Sequence, residues 1–348
     1  MTSTNLKVSA ISDLGCVESL SSEWSDLWER SVAKTPFQSP EWLLPWLRVF
    51  RPREPWILEV RDHSRLVGLA PLFIYAREGQ RVVAMAGAGI SDYCNWLIDK
   101  NHAVPVTAAL FEFLQQHANR WDRLEFTDVP GNSTLLDKEH LRSGKRAISA
   151  YQACPIVQIP PEVTSFEDVI PRRRLAKLRK TYRHLNTVGE RRVEVATPDT
   201  LPEQLDALLT LHGSRWSKFR MPGVLADDEV QSFHRQAAPG LIVKGILRLY
   251  ALRLDHHIIA ALYALADEEA LYLYLQGFDT RYASYSPGLQ IVGAAIEDAL
   301  TLGKKKVDFL RGRESYKYGW GARDSETFQL QLTRIVSEVD VSRAERAA

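Results

Sequence analysis

The sequence contains the same pattern twice, and this duplication limits the possible folds more than any other feature. Residues 56–74 (WILEVRDHSRLVGLAPLFI) and 247–265 (LRLYALRLDHHIIAALYAL) each contain an apolar run, a charged Asp-His turn and a second apolar run. Two apolar runs separated by a short polar turn predict a β-hairpin. The chain has 348 residues, which is long enough for two domains built around such hairpins.

The parallel continues beyond the hairpins. In each copy a third strand, a helix and a fourth strand follow in the same order, and helices precede the hairpin. This order predicts an α+β fold in two tandem units, 1–160 and 201–348, joined by a basic helical segment, 161–200. The third strand, helix and fourth strand lie at 81–87, 104–118 and 122–128 in the first copy and at 270–277, 287–302 and 305–311 in the second.

Composition argues against several classes of protein. The net charge of +1 provides no overall attraction to nucleic acid or to a membrane. Cys16, Cys94 and Cys154 are widely spaced, which argues against structural zinc and favours a reducing compartment. The first residues lack the pattern of a signal peptide, and no apolar run is long enough to span a membrane. We therefore expect a cytoplasmic protein without a metal site.

Ser286-Pro287-Gly288 lies between the third strand and the helix of the second copy. Serine favours the N-cap and proline the first helical position, so a purely structural helix start explains these two residues. Gly288 would additionally let a ligand approach the backbone, and the N–H groups of Gly288, Leu289 and Gln290 would then bind an anion. The first copy has no glycine at this position, so an anion site is expected only in the second copy.

Residues 171–185 (PRRRLAKLRKTYRHL) contain seven Lys or Arg residues and no acidic residue. Leu175, Leu178, Tyr182 and Leu185 are three or four positions apart, which predicts a helix with one apolar face. The basic remainder is either a solvated surface, a contact for a phosphorylated or acidic partner, or a membrane-surface contact.

His212 lies on the apolar face of a predicted helix at 201–219, with Arg215 and Trp216 within about one turn of it. A histidine on such a face is either a core residue or a general base with a pKa near neutrality.

Residues 308–321 (DFLRGRESYKYGWG) interleave basic, aromatic and glycine residues directly after a predicted strand. Loops of this chemistry at the end of a strand are frequent functional sites, although a packed C-terminal lid would also fit. Here Tyr316 is a candidate general acid, Lys317 could neutralise charge on a substrate, and Asp308 or Glu314 could orient them.

The ordered set Phe278-Asp279, Ser286-Pro287-Gly288, Asp308-Phe309 and Tyr316-Lys317 with Trp320 resembles the GNAT-like acetyltransferase family typified by CelD-type proteins of bacterial cellulose biosynthesis. That family is similar to the FemAB-type aminoacyl transferases. The resemblance extends over roughly residues 20–335. It implies tandem GNAT domains, each with a mixed, mostly antiparallel sheet flanked by helices.

The resemblance also implies an acyl donor, acyl-CoA and in particular acetyl-CoA, bound in the second unit while the first unit is degenerate. The CoA diphosphate would be held by Ser286, Gly288, Leu289 and Gln290, with Arg281 nearby. The thioester oxygen would lie against the backbone of Leu275, Gln276 and Gly277.

The implied reaction is direct acyl transfer to an amine or hydroxyl, in polysaccharide or cell-envelope metabolism. We assign His212 as base, Tyr316 as acid and Asp308 as the third catalytic residue. Two further interpretations stay open, namely a non-catalytic tandem-GNAT scaffold and a FemAB-like transferase that uses aminoacyl-tRNA. The residues expected to contact a small-molecule, saccharide or peptide acceptor are Arg215, Trp216, Arg311, Lys317, Tyr318 and Trp320.

Overall fold

The two Asp-His turns each join a pair of antiparallel strands, which confirms both predicted hairpins. His63 in the first turn and Asp255 in the second have φ values of 54° and 53°. A left-handed residue of this kind matches the twist of a tight hairpin, and short polar side chains adopt it more readily than others. The duplication in sequence is therefore a duplication of structure.

The computed structural model describes residues 6–137, 145–217 and 224–334. Its strands are β1 (Leu6–Ile11), β2 (Glu54–Asp62), β3 (Arg65–Arg77), β4 (Gln80–Met85), β5 (Leu97–Ile98), β6 (Arg123–Pro130), β7 (Lys145–Gln158), β8 (Arg191–Val195), β9 (Leu247–Leu254), β10 (His257–Ala266), β11 (Ala270–Phe278), β12 (Lys306–Asp308) and β13 (Arg323–Thr333). Its α-helices are α1 (Leu14–Ser19), α2 (Ser21–Arg30), α3 (Pro40–Phe50), α4 (Ala103–Gln116), α5 (Phe166–Val169), α6 (Arg172–Leu185), α7 (Leu201–Ser217), α8 (Asp228–Val243), α9 (Pro287–Thr301) and α10 (Ser315–Tyr318). Among these residues no helix is long and apolar enough to cross a membrane.

The first compact unit contains the described residues up to 152 and those from 326 to 334. Its sheet has the order β1-β2-β3-β4-β6-β13-β7, with the short β5 beside β3. All of its registered pairs are antiparallel except β4 with β6, which run parallel. Helices α2 and α4 pack on this sheet. Its core is rich in large aromatic side chains, among them Trp56, Trp96, Phe111 and Phe126.

The second unit contains residues 153–325 and has the order β7-β12-β11-β10-β9-β8, in which only β11 and β12 run parallel. Helices α7 and α9 both pack on β9, β10 and β11, and α6 packs on α9. The expected class is therefore confirmed: each unit is an α+β arrangement with a mostly antiparallel sheet and flanking helices. The basic segment forms α6 as predicted, with Leu175, Leu178 and Leu185 buried.

The last described strand completes the first unit, although it follows the second unit in the chain. Residues 327–333 of β13 pair antiparallel with β6, and Leu330 and Leu332 are buried in the first core. Buried residues recur in the second half of β13, at Thr327, Leu330 and Leu332, as in a strand with one face on a core. The predicted fourth strand of the second copy is shorter than expected, since β12 ends at Asp308.

Gly277 lets α7 approach β11 at van der Waals distance. A Cβ atom at this position would lie 2.5 Å from the backbone nitrogen of His212 and 2.7 Å from the carbonyl carbon of Leu211. Because backbone atoms cannot swing aside as the end of a long side chain can, any larger residue would push the helix away from the sheet.

We expect Gly277→Ala to destabilise the protein by about 1–3 kcal/mol, the usual cost of inserting a group into a well-packed site. Gly213→Ala is the matched control, because a Cβ atom at Gly213 in the same helix would meet no atom within 4 Å. Replacing an unhindered helical glycine by alanine stabilises by about 0.5–1 kcal/mol. Urea unfolding measures both changes, and equal effects of the two substitutions would contradict this packing.

Candidate functional site

The parallel strands β11 and β12 separate soon after they begin to pair. Their register runs only from Ala270 with Lys306 to Tyr272 with Asp308, where β12 ends. Strand β11 continues to Phe278, and its pairing with β10 shifts by one residue between Tyr263 and Ala264. Such bulges bend a strand and re-aim its side chains, and they are frequent beside active sites. In the described residues, β11 therefore has no partner strand on the β12 side beyond Tyr272. We call the space beside this unpaired edge the gap between β11 and β12.

Ser286 is the N-cap of α9, as predicted, but in an unexpected conformation. Its φ and ψ are 54° and 53°, and its side chain makes no capping hydrogen bond. Its carbonyl accepts hydrogen bonds from the N–H groups of Leu289 at 3.0 Å and Gln290 at 3.2 Å. These two donors are therefore used inside the first turn, and only Gly288 of the predicted set of three donates to no backbone acceptor in the described residues.

Gly288 and Gln276 face each other across the mouth of the gap. The side-chain amide of Gln276 donates to the carbonyl of Gly288 at 2.9 Å. A Cβ atom at position 288 would lie 2.6 Å from that amide nitrogen. A side chain at position 288 would therefore displace the Gln276 amide from its present position.

Gln290 is buried and is bonded entirely within the fold. Its amide nitrogen donates to the carbonyls of Thr181 and Tyr285, and its oxygen accepts from Nε of Arg191 at 2.8 Å. The side chain therefore joins α6, β8 and α9 and leaves no group for a cofactor. Arg281 pairs with the adjacent Asp279, and its side chain is 84% exposed. The Arg281 guanidinium lowers the pKa of the Asp279 carboxyl.

A cavity of about 300 Å³ opens at the junction of β11 and α9, entirely within the second unit. It brings together several of the predicted residues and adds two cations from α6, Arg174 and Lys177, that the sequence analysis did not assign to a site. No acidic side chain among the described residues lines it. Its walls are Arg174, Lys177, Gln276, Phe278, Ala283, Ser286, Pro287, Gly288, Leu289, Tyr316 and Trp320.

Arg174 connects α6 to the segment that carries Tyr316. Its Nε donates to the carbonyl of Gly319 at 2.8 Å, its Nη2 donates to the carbonyl of Tyr316 at 3.2 Å, and its guanidinium lies 5.0 Å from the centre of the Trp320 ring. A side chain at Gly319 would overlap this guanidinium. Burial lowers the pKa of Arg174, but arginine remains charged in proteins. Arg174 thus places a positive charge at the cavity and fixes Tyr316 beside it.

Lys317 is buried, with only 3% of its side chain exposed. Its ammonium donates to the carbonyls of Leu310 at 3.0 Å, Arg311 at 2.8 Å and Gly312 at 3.0 Å. An ammonium has three hydrogens, so the loop itself uses all of them. In the structure Lys317 shapes the loop between β12 and α10 and does not line the cavity.

The remaining predicted residues of this loop also lie outside the cavity. Asp308 is buried at the end of β12, where its carboxylate accepts from the N–H of Leu310 at 2.8 Å. Arg311 contributes its carbonyl to Lys317, as described above. Tyr318 donates to Asp324 at 2.7 Å and faces a second cavity. Tyr316 and Trp320 are therefore the residues of the segment that reach the junction of β11 and α9.

His212 lies on the other face of β11 from Gln276. It is buried on α7 against Gly277, whereas Gln276 projects toward α9. The side chains of Arg215 and Trp216, also on α7, lie outside the described residues. Leu275 pairs with Tyr263 on β10. The structure therefore does not bring His212 to the cavity that Tyr316 lines.

A buried aromatic cluster accompanies His212. The ring of His234 on α8 lies 5.3 Å from that of Tyr263 and 5.6 Å from that of Tyr274. Burial, together with the charge of nearby His212, lowers the pKa of His234 to about 3. Among the described residues no group of His, Cys, Asp and Glu side chains could hold a metal ion.

The sequence signal that would have found Arg174 and Lys177 was present in the basic segment. Both residues sit one position before a buried leucine, Leu175 and Leu178, so they flank the apolar face of α6 instead of opposing it. Long cationic side chains at such flanking positions extend along the neighbouring element. Only the packing of α6 on α9 shows along which element the side chains of Arg174 and Lys177 extend.

A sequence-family profile described as an acetyltransferase (GNAT) domain matches residues 172–318. No curated protein sequence matches the chain. Among solved structures, FemX has 11% sequence identity and a TM-score of 0.66, and the likeness covers 98% of this chain and 99% of that one. L-PGS from Bacillus licheniformis has 11% identity and a TM-score of 0.59, covering 92% of this chain and 96% of that one.

The C-terminal domain of a putative lysylphosphatidylglycerol synthetase from Agrobacterium fabrum has 9% identity and a TM-score of 0.58, covering 94% of this chain and 95% of that one. At such low identity these likenesses establish the fold alone. The matched range 172–318 begins with α6 and ends with α10, and so contains every residue that lines the cavity except Trp320.

We expect Lys317→Met to destabilise the protein by about 2–4 kcal/mol, because one buried and two partly buried carbonyls would lose a charged donor. Glu314→Gln is the control: Glu314 pairs with Lys317 at 2.9 Å but is 58% exposed, and exposed ion pairs contribute at most about 1 kcal/mol. Chemical unfolding measures both. A Lys317→Met protein as stable as the parent would show that the loop does not depend on this ammonium.

Proposed function

We propose that the second unit is an acyltransferase that moves an acyl group from acyl-CoA, with acetyl-CoA as the first donor to test, to an amine or hydroxyl. The observation that carries the proposal is the cavity at the start of α9, which combines two cations, Arg174 and Lys177, with the N–H of Gly288 and is lined by no acid in the described part of the chain. This is the chemistry that binds a diphosphate. The acetyltransferase profile covers the same elements.

The gap between β11 and β12 is the proposed route for the acyl arm. A donor whose phosphates lie at Gly288 would extend along β11, past Gln276, toward the point where the strands meet at Tyr272 and Asp308. Backbone N–H groups of Leu275–Gly277 on the unpaired edge would then stabilise negative charge on the thioester oxygen. The bulge near Tyr263 supports this role because it turns that edge of β11 away from regular pairing.

Tyr316 is the proposed general acid for the departing thiolate. It lines the cavity, its side chain is partly exposed, and the hydrogen bond from Arg174 to its carbonyl fixes its backbone. His212 is the proposed base on the opposite face of β11, from which the acceptor would approach. In this arrangement the amine loses its proton on the α7 face, and the thiolate gains one on the α9 face. Asp308 at the end of β12 and Lys317 on α10 act as positioning residues for the loop between these two elements.

A donor site in the first unit is not proposed. The corresponding helix, α4, has His102 as its N-cap and no glycine in its first turn. We propose that the first unit is a degenerate copy without a donor site. Aminoacyl-tRNA is the second candidate donor, since the fold is similar to FemX and α6 exposes several cations.

We expect acetyl-CoA at 100 times its dissociation constant to stabilise the protein by about 2.7 kcal/mol. For a unit of this size the melting temperature would rise by about 5–10 °C. S-acetyl-pantetheine, which lacks the phosphates, should give little shift at the same concentration. Lys177→Ala should reduce the acetyl-CoA shift, and Lys180→Ala, on the exposed side of α6, should not. If charged tRNA stabilises the protein and no acyl-CoA does, the CoA proposal is wrong.

We expect Tyr316→Phe to lower kcat at least about tenfold, because general acids typically contribute 100-fold or more, while the Kd for acetyl-CoA stays within about twofold. The matched control is Tyr151→Phe, since Tyr151 has nearly the same exposure, 42% against 41%, and lies in the first unit. Steady-state kinetics and titration calorimetry supply the two numbers. An unchanged kcat for Tyr316→Phe would remove the hydroxyl from the mechanism.

A further inference from the structure

A second cavity of about 400 Å³ adjoins the candidate donor site and has no place in the reaction described above. It lies within the second unit, between the start of α6 and the end of α10. Arg174 and Lys177 line both cavities, so the two share a wall. The lining residues of the second cavity are Pro171, Arg173, Arg174, Lys177, Tyr318 and Gly319.

The cations of this cavity are not neutralised by the fold. Among the described residues no carboxylate pairs with Arg173 or Lys177, and no acidic side chain lines the cavity. Two exposed arginines elsewhere in the second unit do have such a partner, since Arg179 pairs with Glu167 and Arg192 with Glu194. The charge at the second cavity is therefore available to a ligand.

The placement of these cations also costs stability. The first turn of α6 carries Arg172, Arg173 and Arg174 and no acid, although the positive end of the helix dipole disfavours cations there. Arg173 and Lys177 are four positions apart, and like charges at this spacing on a helix repel each other. Local arrangements that lower stability in this way are expected at functional sites. A dianion bound between the two side chains would reverse both penalties.

We propose that the second cavity binds a phosphate monoester carried by the same donor, namely the 3′-phosphate of CoA. This inference rests on the proposed function. Residues three or four apart on a helix are about 5–6 Å apart, so Arg173 lies one turn from Lys177 at the shared wall. A diphosphate at Gly288 and Lys177 would bring the ribose phosphate of the same molecule toward Arg173. A phosphate monoester carries nearly two negative charges at neutral pH, which matches two unpaired cations.

The test compares acetyl-CoA with acetyl-3′-dephospho-CoA by titration calorimetry. We expect the parent protein to bind acetyl-CoA about tenfold more tightly, the effect of one charge-assisted contact. Arg173→Ala should remove this preference by weakening acetyl-CoA binding about tenfold while leaving the dephospho compound unchanged. Arg179→Ala is the matched control, because Arg179 is on the same helix but lines neither cavity.

Each of the other possible outcomes would contradict either the 3′-phosphate assignment alone or the donor proposal as well. If the parent binds both compounds with equal affinity, or if Arg173→Ala weakens both equally, the 3′-phosphate assignment is wrong and the donor proposal stands. If neither compound binds, the donor proposal fails and this inference fails with it. If neither compound binds but tRNA does, and Arg173→Ala weakens tRNA binding, the cavity contacts backbone phosphates of tRNA, which also overturns the assignment.

Discussion

The separation of β11 and β12 is the constraint on which the rest of the second unit depends. Two parallel strands that paired along their whole length would leave no gap and no unpaired main chain at the end of the sheet. Here the pairing stops at Tyr272 and Asp308. The residues of β11 beyond Tyr272 instead contact the neighbouring helices. Gln276 bonds to the start of α9, and Gly277 admits the backbone of α7. Specific contacts with α7 and α9 therefore position the strand beside the gap.

Arg174 contributes both to the structure beside that gap and to the positive charge there. The side chain bonds to the segment that carries Tyr316, stacks on Trp320 and lines both cavities, so one residue contributes to structure and charge together. A partly buried guanidinium is stabilised when its donors are used, and here backbone carbonyls accept from it. Because no described acidic side chain lines either cavity, the positive charge of α6 is available to a ligand in them.

Much of the fold could be predicted from the sequence, because the duplicated pattern of 56–74 and 247–265 predicts two hairpins whose register depends on local turns. The role of β13 could not, since nothing in residues 323–333 indicates which unit they complete. The site shows the same division. The residue types of Ser286 and Gly288 indicate a helix start that a ligand could approach. The left-handed conformation of Ser286 and the hydrogen bond of Gln276 to Gly288 depend on packing. The sequence predicts Lys317 as a substrate contact, and only the structure shows that its ammonium donates hydrogen bonds to three backbone carbonyls.

The central claim is that the junction of β11 and α9 holds the phosphates of an acyl donor. A crystal structure of the protein with bound CoA tests it most directly. The account predicts the diphosphate within about 3 Å of the N–H of Gly288 and of the Lys177 ammonium, the distance of a charge-assisted hydrogen bond. A diphosphate bound in the first unit, or CoA bound with its phosphates away from both groups, would contradict the account.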